Sequence, residues 1–156
     1  MKVFIGLYGA RKDLYAQKLF PELEVVYSGE QKKIFRKFNP DFPEELNIEE
    51  KKGEMKDIME YVLTDKSFIF ITPVLNPQRL CRTIAEVIDF GYNVEIYYVP
   101  TSVEQVLAWN KERKYPIPED VLVEEADSMD FTLSYLESKT CIKINKCVKT
   151  RDLWGE

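Results

Sequence analysis

Three short runs, Val3 to Leu7, Phe68 to Ile71 and Val94 to Val99, are apolar at nearly every position, and each adjoins a stretch with helical spacing. A strand that is apolar on both faces has to be covered on both, which is the situation of a parallel sheet packed between helices. The pattern predicts an α/β sandwich of three layers. Two weaker runs, Glu24 to Tyr27 and Thr140 to Ile144, bring the predicted parallel sheet to about five strands.

The helices between the runs have readable ends. Asn76-Pro77 offers a cap and a first-turn proline, Leu80, Ile84, Val87 and Ile88 follow at helical spacing, and Gly91 supplies a left-handed stop. Ser102 to Gln105 reads as a capping box ahead of Val103, Val106 and Leu107, and Met55, Ile58, Met59, Val62 and Leu63 mark a further amphipathic helix. The charged stretch from Ser28 to Gly53, interrupted by Asn39-Pro40-Asp41-Phe42-Pro43, reads as a short helix, a loop and the start of that long helix. A chain of 156 residues needs one domain, placed at 1–144, with an aperiodic tail at 145–156 from which Leu153 and Trp154 can dock.

Composition removes several kinds of chemistry. There is no histidine, which excludes His-based triads and most zinc sites and leaves carboxylates as the available general bases. Three cysteines, Cys81, Cys141 and Cys147, fit neither a disulfide framework nor a zinc knuckle and are expected to be reduced. No stretch has the apolar length of a membrane helix and the N-terminus does not read as a signal peptide, so a cytoplasmic protein without a membrane partner is expected. The net charge of −5 gives nucleic acid no global attraction.

Between the first apolar run and the first helical stretch lies GLYGARKD, Gly6 to Asp13. A phosphate-binding loop of the form G-x-x-x-x-G-K followed by Ser or Thr turns backbone N–H groups toward a phosphate, and its lysine reaches the outer phosphates. Gly6 and Lys12 stand at that spacing, with Gly9 and Ala10 between them. Arg11 takes the place of the second glycine and Asp13 that of the hydroxyl. The candidate nucleotide-binding set is therefore Gly6, Gly9, Ala10, Arg11, Lys12 and Asp13, with Asp13 as the candidate Mg²⁺ ligand. If the backbone is left-handed at residue 11, a non-glycine side chain there costs roughly 1 kcal/mol or more.

Strand, glycine-bearing turn, lysine and helix, together with the pattern after residue 68, resemble the P-loop kinases, and among them the 5′-kinase domain of phage polynucleotide kinases. NPQRLCRTIAEVIDFGYNVEIYYVP resembles the helix and strand that follow that family's Walker-B-like strand, and WNKERKYPIPEDVL resembles its lid. The resemblance implies a P-loop kinase-like fold, ATP and Mg²⁺ as cofactors, and Arg113 as the lid arginine, with Asn110 and Lys111 just ahead of it. The Lys-Asp pair also resembles the G-K-D loops of phage nucleoside monophosphate kinases and of phosphomevalonate-type kinases.

The departures bear on activity. The family places an Asp, followed three residues later by Arg, after its second strand; in YSGEQKK those positions are Gly29 and Lys32, leaving Glu30, one residue off, as the candidate base. Thr72-Pro73-Val74 stands in place of the signals after the third strand. Together with Arg11 these weakenings imply a degenerate kinase that works by binding a nucleotide or a partner, with a phage-encoded protein acting on a host component as the analogy. The alternative is an active phosphotransferase, a polynucleotide 5′-kinase or a nucleoside monophosphate kinase, with Lys12, Arg113 and Glu30 as its catalytic residues.

Lys32, Lys33, Arg36 and Lys37 share one side of a short helix and form a candidate acceptor patch for a nucleic-acid 5′ end, against the plainer reading of a solvated face. The stretch Glu119 to Asp130 holds six acidic residues and no basic one, which beside a lid would repel a nucleic-acid strand. Tyr8, Tyr97, Tyr98 and Trp109 read as structural rather than as a platform for a base. Acceptor, partner and oligomeric state stay open at this level.

Overall fold

The computed structural model describes residues 1–38 and 50–147. Five strands, β1 (Lys2–Ile5), β2 (Val25–Tyr27), β3 (Ile69–Thr72), β4 (Glu95–Tyr98) and β5 (Ile144–Lys146), form one sheet. Every pairing is parallel and the order is β2-β3-β1-β4-β5. Six helices connect them among the described residues: α1 (Lys12–Leu19), α2 (Gly29–Phe38), α3 (Glu50–Leu63), α4 (Pro77–Asp89), α5 (Val103–Lys111) and α6 (Glu119–Thr140).

The doubly apolar runs behave as their composition requires. Val3 and Ile5 of β1 join Phe68, Phe70 and Ile96 in a core closed by Ile58 and Val62 of α3, by Leu80, Ile84 and Val87 of α4 and by Leu136 of α6. Phe4, Ile69 and Ile71 point to the opposite face, where Tyr15 and Ala16 of α1 cover them. Phe4 stacks on Tyr97 with ring centroids 4.8 Å apart, and Phe20 meets both rings edge-on. The result is the expected three-layer sandwich.

The caps form as read: the Asn76 side chain accepts from the Arg79 N–H, the Ser102 side chain accepts from the Gln105 N–H, and Gly91 follows α4 at φ +88°. Three details differ. Leu63 and Ile88 lie at the solvent edges of their apolar stripes and are exposed. The last strand lies further along the chain, because α6 continues through Thr140 and Cys141 ends it in a left-handed turn. As a consequence Asn145 and Lys146 belong to the sheet, and the buried Cys147 donates its N–H to the Tyr98 carbonyl at 2.9 Å. The Asn39 to Pro43 turn, Leu153 and Trp154 lie outside the described residues.

Candidate functional site

The chain leaves β3 on one side of β1 and returns as β4 on the other, and a crevice opens beyond the carboxyl ends of the strands at this switch point. It is a cleft of about 300 Å³ walled by the loop after β1, by the start of α2 and by the end of α5. Its lining includes Gly9, Arg11, Lys12 and Asp13 from the first wall, Gln31 from the second, and Trp109, Asn110 and Arg113 from the third. Five of the predicted residues thus converge: Gly9, Arg11, Lys12, Asp13 and Arg113.

The loop keeps the backbone shape that its sequence departs from. Arg11 is left-handed, at φ 59° and ψ 39°, where the loop template has glycine. The conformation costs an L-residue roughly 1–2 kcal/mol, and part of that is offset by the guanidinium lying 4.0 Å from the Trp109 ring centroid. Gly9 is at φ +84°. Gly6 allows close approach: a Cβ there would come to 3.0 Å from the Val99 carbonyl oxygen and 3.4 Å from the Lys12 stem. Ala10 is fully buried and donates its N–H to the Leu7 carbonyl, closing the loop.

Lys12 is buried, and its Nζ donates to the Leu7 carbonyl at 2.9 Å. Burial pulls its pKa down to about 8 against the opposing pull of Glu125 and Asp13. Glu125, on α6, is the residue the sequence reading did not single out. Its Oε1 accepts the backbone N–H of Tyr8 at 2.9 Å, inside the loop, and burial raises its carboxyl to about 7 while Lys12 and the Tyr8 amide hold it down. A signal for it was present: Leu122, Glu125, Met129, Thr132 and Leu136 recur at spacings of three and four and are the buried residues of α6. One of the six acidic residues expected to repel a strand is turned inward onto the loop.

Asp13 lies at the cleft with Oδ1 accepting the Leu14 N–H and Oδ2 accepting the Tyr27 hydroxyl at 3.3 Å. Arg113 lies over the Tyr8 ring, 5.0 Å from its centroid, and donates to the Tyr8 hydroxyl at 3.1 Å. Tyr8 and Trp109, read from sequence as structural, each carry an arginine at the cleft. Asn110 lines the cleft too, but both ends of its amide are engaged with the backbone of Ile117, which braces the turn between α5 and α6.

The other predicted residues stand apart from the cleft lining. Glu30 turns both oxygens away, accepting the N–H groups of Leu75 at 2.7 Å and Asn76 at 2.9 Å, while burial raises its carboxyl. This grip sits beside Val74, which is left-handed at φ 56°, an outlier for a β-branched residue. Lys32 pairs with Asp57 of α3 at 2.7 Å and Lys33 is exposed, so neither faces the cleft. The Arg36 side chain lies outside what is described.

The chain matches solved structures at low identity. A crystal structure of a gluconokinase from Sinorhizobium meliloti 1021 matches with a TM-score of 0.56 over 99% of this chain and 85% of that one, at 12% identity. The chain has a P-loop kinase-like fold. An uncharacterized protein from Eubacterium ventriosum ATCC 27560 matches at a TM-score of 0.48 and 14% identity, over 94% of this chain and 88% of that one. No family model matches the sequence, and no curated protein does. None of the described helices is long and apolar enough to cross a membrane.

Proposed function

We propose that this is a phosphate- and nucleotide-binding protein built on the kinase fold in which phosphotransfer has been given up, a pseudokinase that works by binding a ligand or a partner protein. The observation that carries the reading is the commitment of Glu30 to the Leu75 and Asn76 amides. Asp13 is then the one carboxylate among the described residues that line the cleft, in a chain without histidine. A kinase of this design needs one group to hold Mg²⁺ and another to orient the attacking hydroxyl, and a single carboxylate does not fill both roles.

The binding half of the reading rests on the cleft itself. Arg11 and Arg113 offer planar guanidinium donors suited to phosphate oxygens, and Tyr8, Tyr27 and Trp109 offer aromatic surface. Asp13 is an appropriate oxygen ligand for Mg²⁺, which commonly takes one or two carboxylates and completes its shell with phosphate and water. ATP and Mg²⁺ are accordingly the ligands to test first.

A second reading, an active kinase, is favoured by the convergence of Lys12, Asp13, Arg11 and Arg113 on one cleft. Two measurements separate the readings. A bound ligand at about 100 times its Kd adds about 2.7 kcal/mol, so Mg-ATP should raise Tm by several degrees in the wild type and not in Lys12→Ala. Transfer of labelled γ-phosphate to an oligonucleotide, nucleotide or small polyol acceptor should be absent; turnover that disappears in Lys12→Ala would establish the kinase instead.

A further inference from the structure

The first turn of α2 sends three consecutive side chains in three directions. Glu30 reaches the Leu75 and Asn76 amides, Lys32 pairs with Asp57 of α3, and Gln31 between them lines the cleft. We infer that Gln31 selects the ligand of the cleft, its amide hydrogen-bonding a hydroxyl on the carbon skeleton of a phosphate ester whose phosphate lies on Arg11 and Arg113. The inference rests on the cleft reading above and adds the uncharged part of the ligand to it.

Gln31 is only 4% exposed, and among the described residues its Oε1 finds no donor. The start of the helix makes no demand on this side chain, because the Gln31 backbone N–H is accepted by the Ser28 hydroxyl at 3.1 Å. A buried amide oxygen without a partner destabilises the fold, and in a ligand site that cost is recovered when the ligand supplies the missing donor. Three other neutral polar side chains of the lining are engaged within the protein. Asn110 gives both ends of its amide to Ile117, the Tyr27 hydroxyl donates to Asp13, and the Tyr8 hydroxyl accepts from Arg113.

The lining also says what kind of molecule Gln31 meets. Arg11, Lys12 and Arg113 outnumber Asp13, so the cleft attracts anions. Gln31 adds no charge and reads an uncharged group. A carboxamide offers a donor at Nε2 and an acceptor at Oε1, and a half-turn of its soft terminal torsion exchanges them. A hydroxyl donates and accepts, and so meets the amide either way round; an ether or a carbonyl only accepts and leaves Oε1 unpaired. Sugar phosphates and the ribose end of nucleotides carry both features, a phosphate and hydroxyls on carbon. A cleft of about 300 Å³ is at the small end of ligand sites, which suits a pentose phosphate.

The test titrates wild type, Gln31→Met and the exposed-site control Gln17→Met by calorimetry with two matched pairs, ribose 5-phosphate against n-pentyl phosphate and AMP against 2′,3′-dideoxy-AMP. Tripolyphosphate is the fifth probe and has no carbon skeleton. Methionine keeps the unbranched shape of glutamine and removes the amide. Wild type and Gln17→Met should favour the hydroxylated member of at least one pair by roughly tenfold, and Gln31→Met should bind both members alike. The pair that shows the preference tells a free sugar phosphate from a nucleotide.

A preference that survives in Gln31→Met, or is missing from wild type in both pairs, overturns the inference; with any of the five probes still bound, the cleft reading stands. Binding of none of them by any protein overturns both. If Gln31→Met does not fold, the wild type still decides: its Gln31 side-chain amide NMR signals should move with the hydroxylated ester and stay in place with its matched partner. Equal movement with both, or none with either, refutes the inference.

Discussion

Two buried glutamates, Glu30 on α2 and Glu125 on α6, stand outside the cleft lining and meet different fates. Glu30 is held by two consecutive amides, those of Leu75 and Asn76, with Arg79 near enough to favour its charge. Glu125 is held by one amide, that of Tyr8, and by the field of Lys12, which gives one of its ammonium N–H groups to the Leu7 carbonyl. A carboxylate with two good donors and a nearby guanidinium is part of the architecture; one with a single amide donor is held less firmly.

The largest expected effect tests the less firmly held glutamate. Below about pH 4.5 Glu125 is protonated in the folded and unfolded chains alike and costs nothing. Between there and about 7 the folded chain keeps a proton that the unfolded chain has lost, so rising pH destabilises the wild type. Lys12 has the opposite slope at higher pH, where stability recovers between about 8 and 10.5 because the unfolded chain then holds the extra proton. In Glu125→Gln the first limb should vanish. The gain in stability of Glu125→Gln over wild type should therefore grow as pH rises from about 4.5 to about 8, read from urea midpoints. A difference independent of pH would place Glu125 in a role like that of Glu30.

Glu30→Ala probes the structural side. It strips two amides of a charged acceptor beside the strained Val74, and the expected loss is about 2–3 kcal/mol, seen as a fall in Tm of roughly 5–10 °C. The shift in Tm produced by Mg-ATP should survive the change. If Tm held while the ligand response vanished, Glu30 would belong to the binding wall.

The sequence made the scaffold legible because parallel strands buried on both faces leave a composition that little else leaves, and Val3 to Leu7 and Phe68 to Ile71 carried it plainly. Lys12, Arg11 and Asp13 were legible because they lie within one short loop, where spacing alone fixes neighbourhood. Glu125 was not, although it lies on the buried stripe of α6: its partner, the Tyr8 amide, is 117 residues away, and backbone donors leave no trace in side-chain identity. For the same reason Glu30 looked like a base. Its two amide partners lie 45 and 46 residues on, in a turn whose left-handed residue is a valine that sequence gives no reason to expect there.

Arg11→Gly acts on the backbone of the loop. Relief of the left-handed strain is worth roughly 1 kcal/mol, and loss of the stacking on Trp109 returns about half of it, so a small net gain in stability is expected from denaturant midpoints. Trp109→Ala supplies the control, since in it Arg11→Gly should show the full gain.

Tyr8→Phe is the smallest change and the most selective. It keeps the ring under the Arg113 guanidinium and removes the hydroxyl that accepts from it, at an expected cost of about 1 kcal/mol in stability. The backbone N–H that holds Glu125 is untouched by the substitution. Arg113, released from an internal acceptor, becomes more available to an anion, so a ligand with one phosphate, such as a nucleoside monophosphate, should bind a few-fold tighter to Tyr8→Phe. Unchanged affinity for a nucleoside monophosphate would place the Arg113 guanidinium outside that ligand's reach.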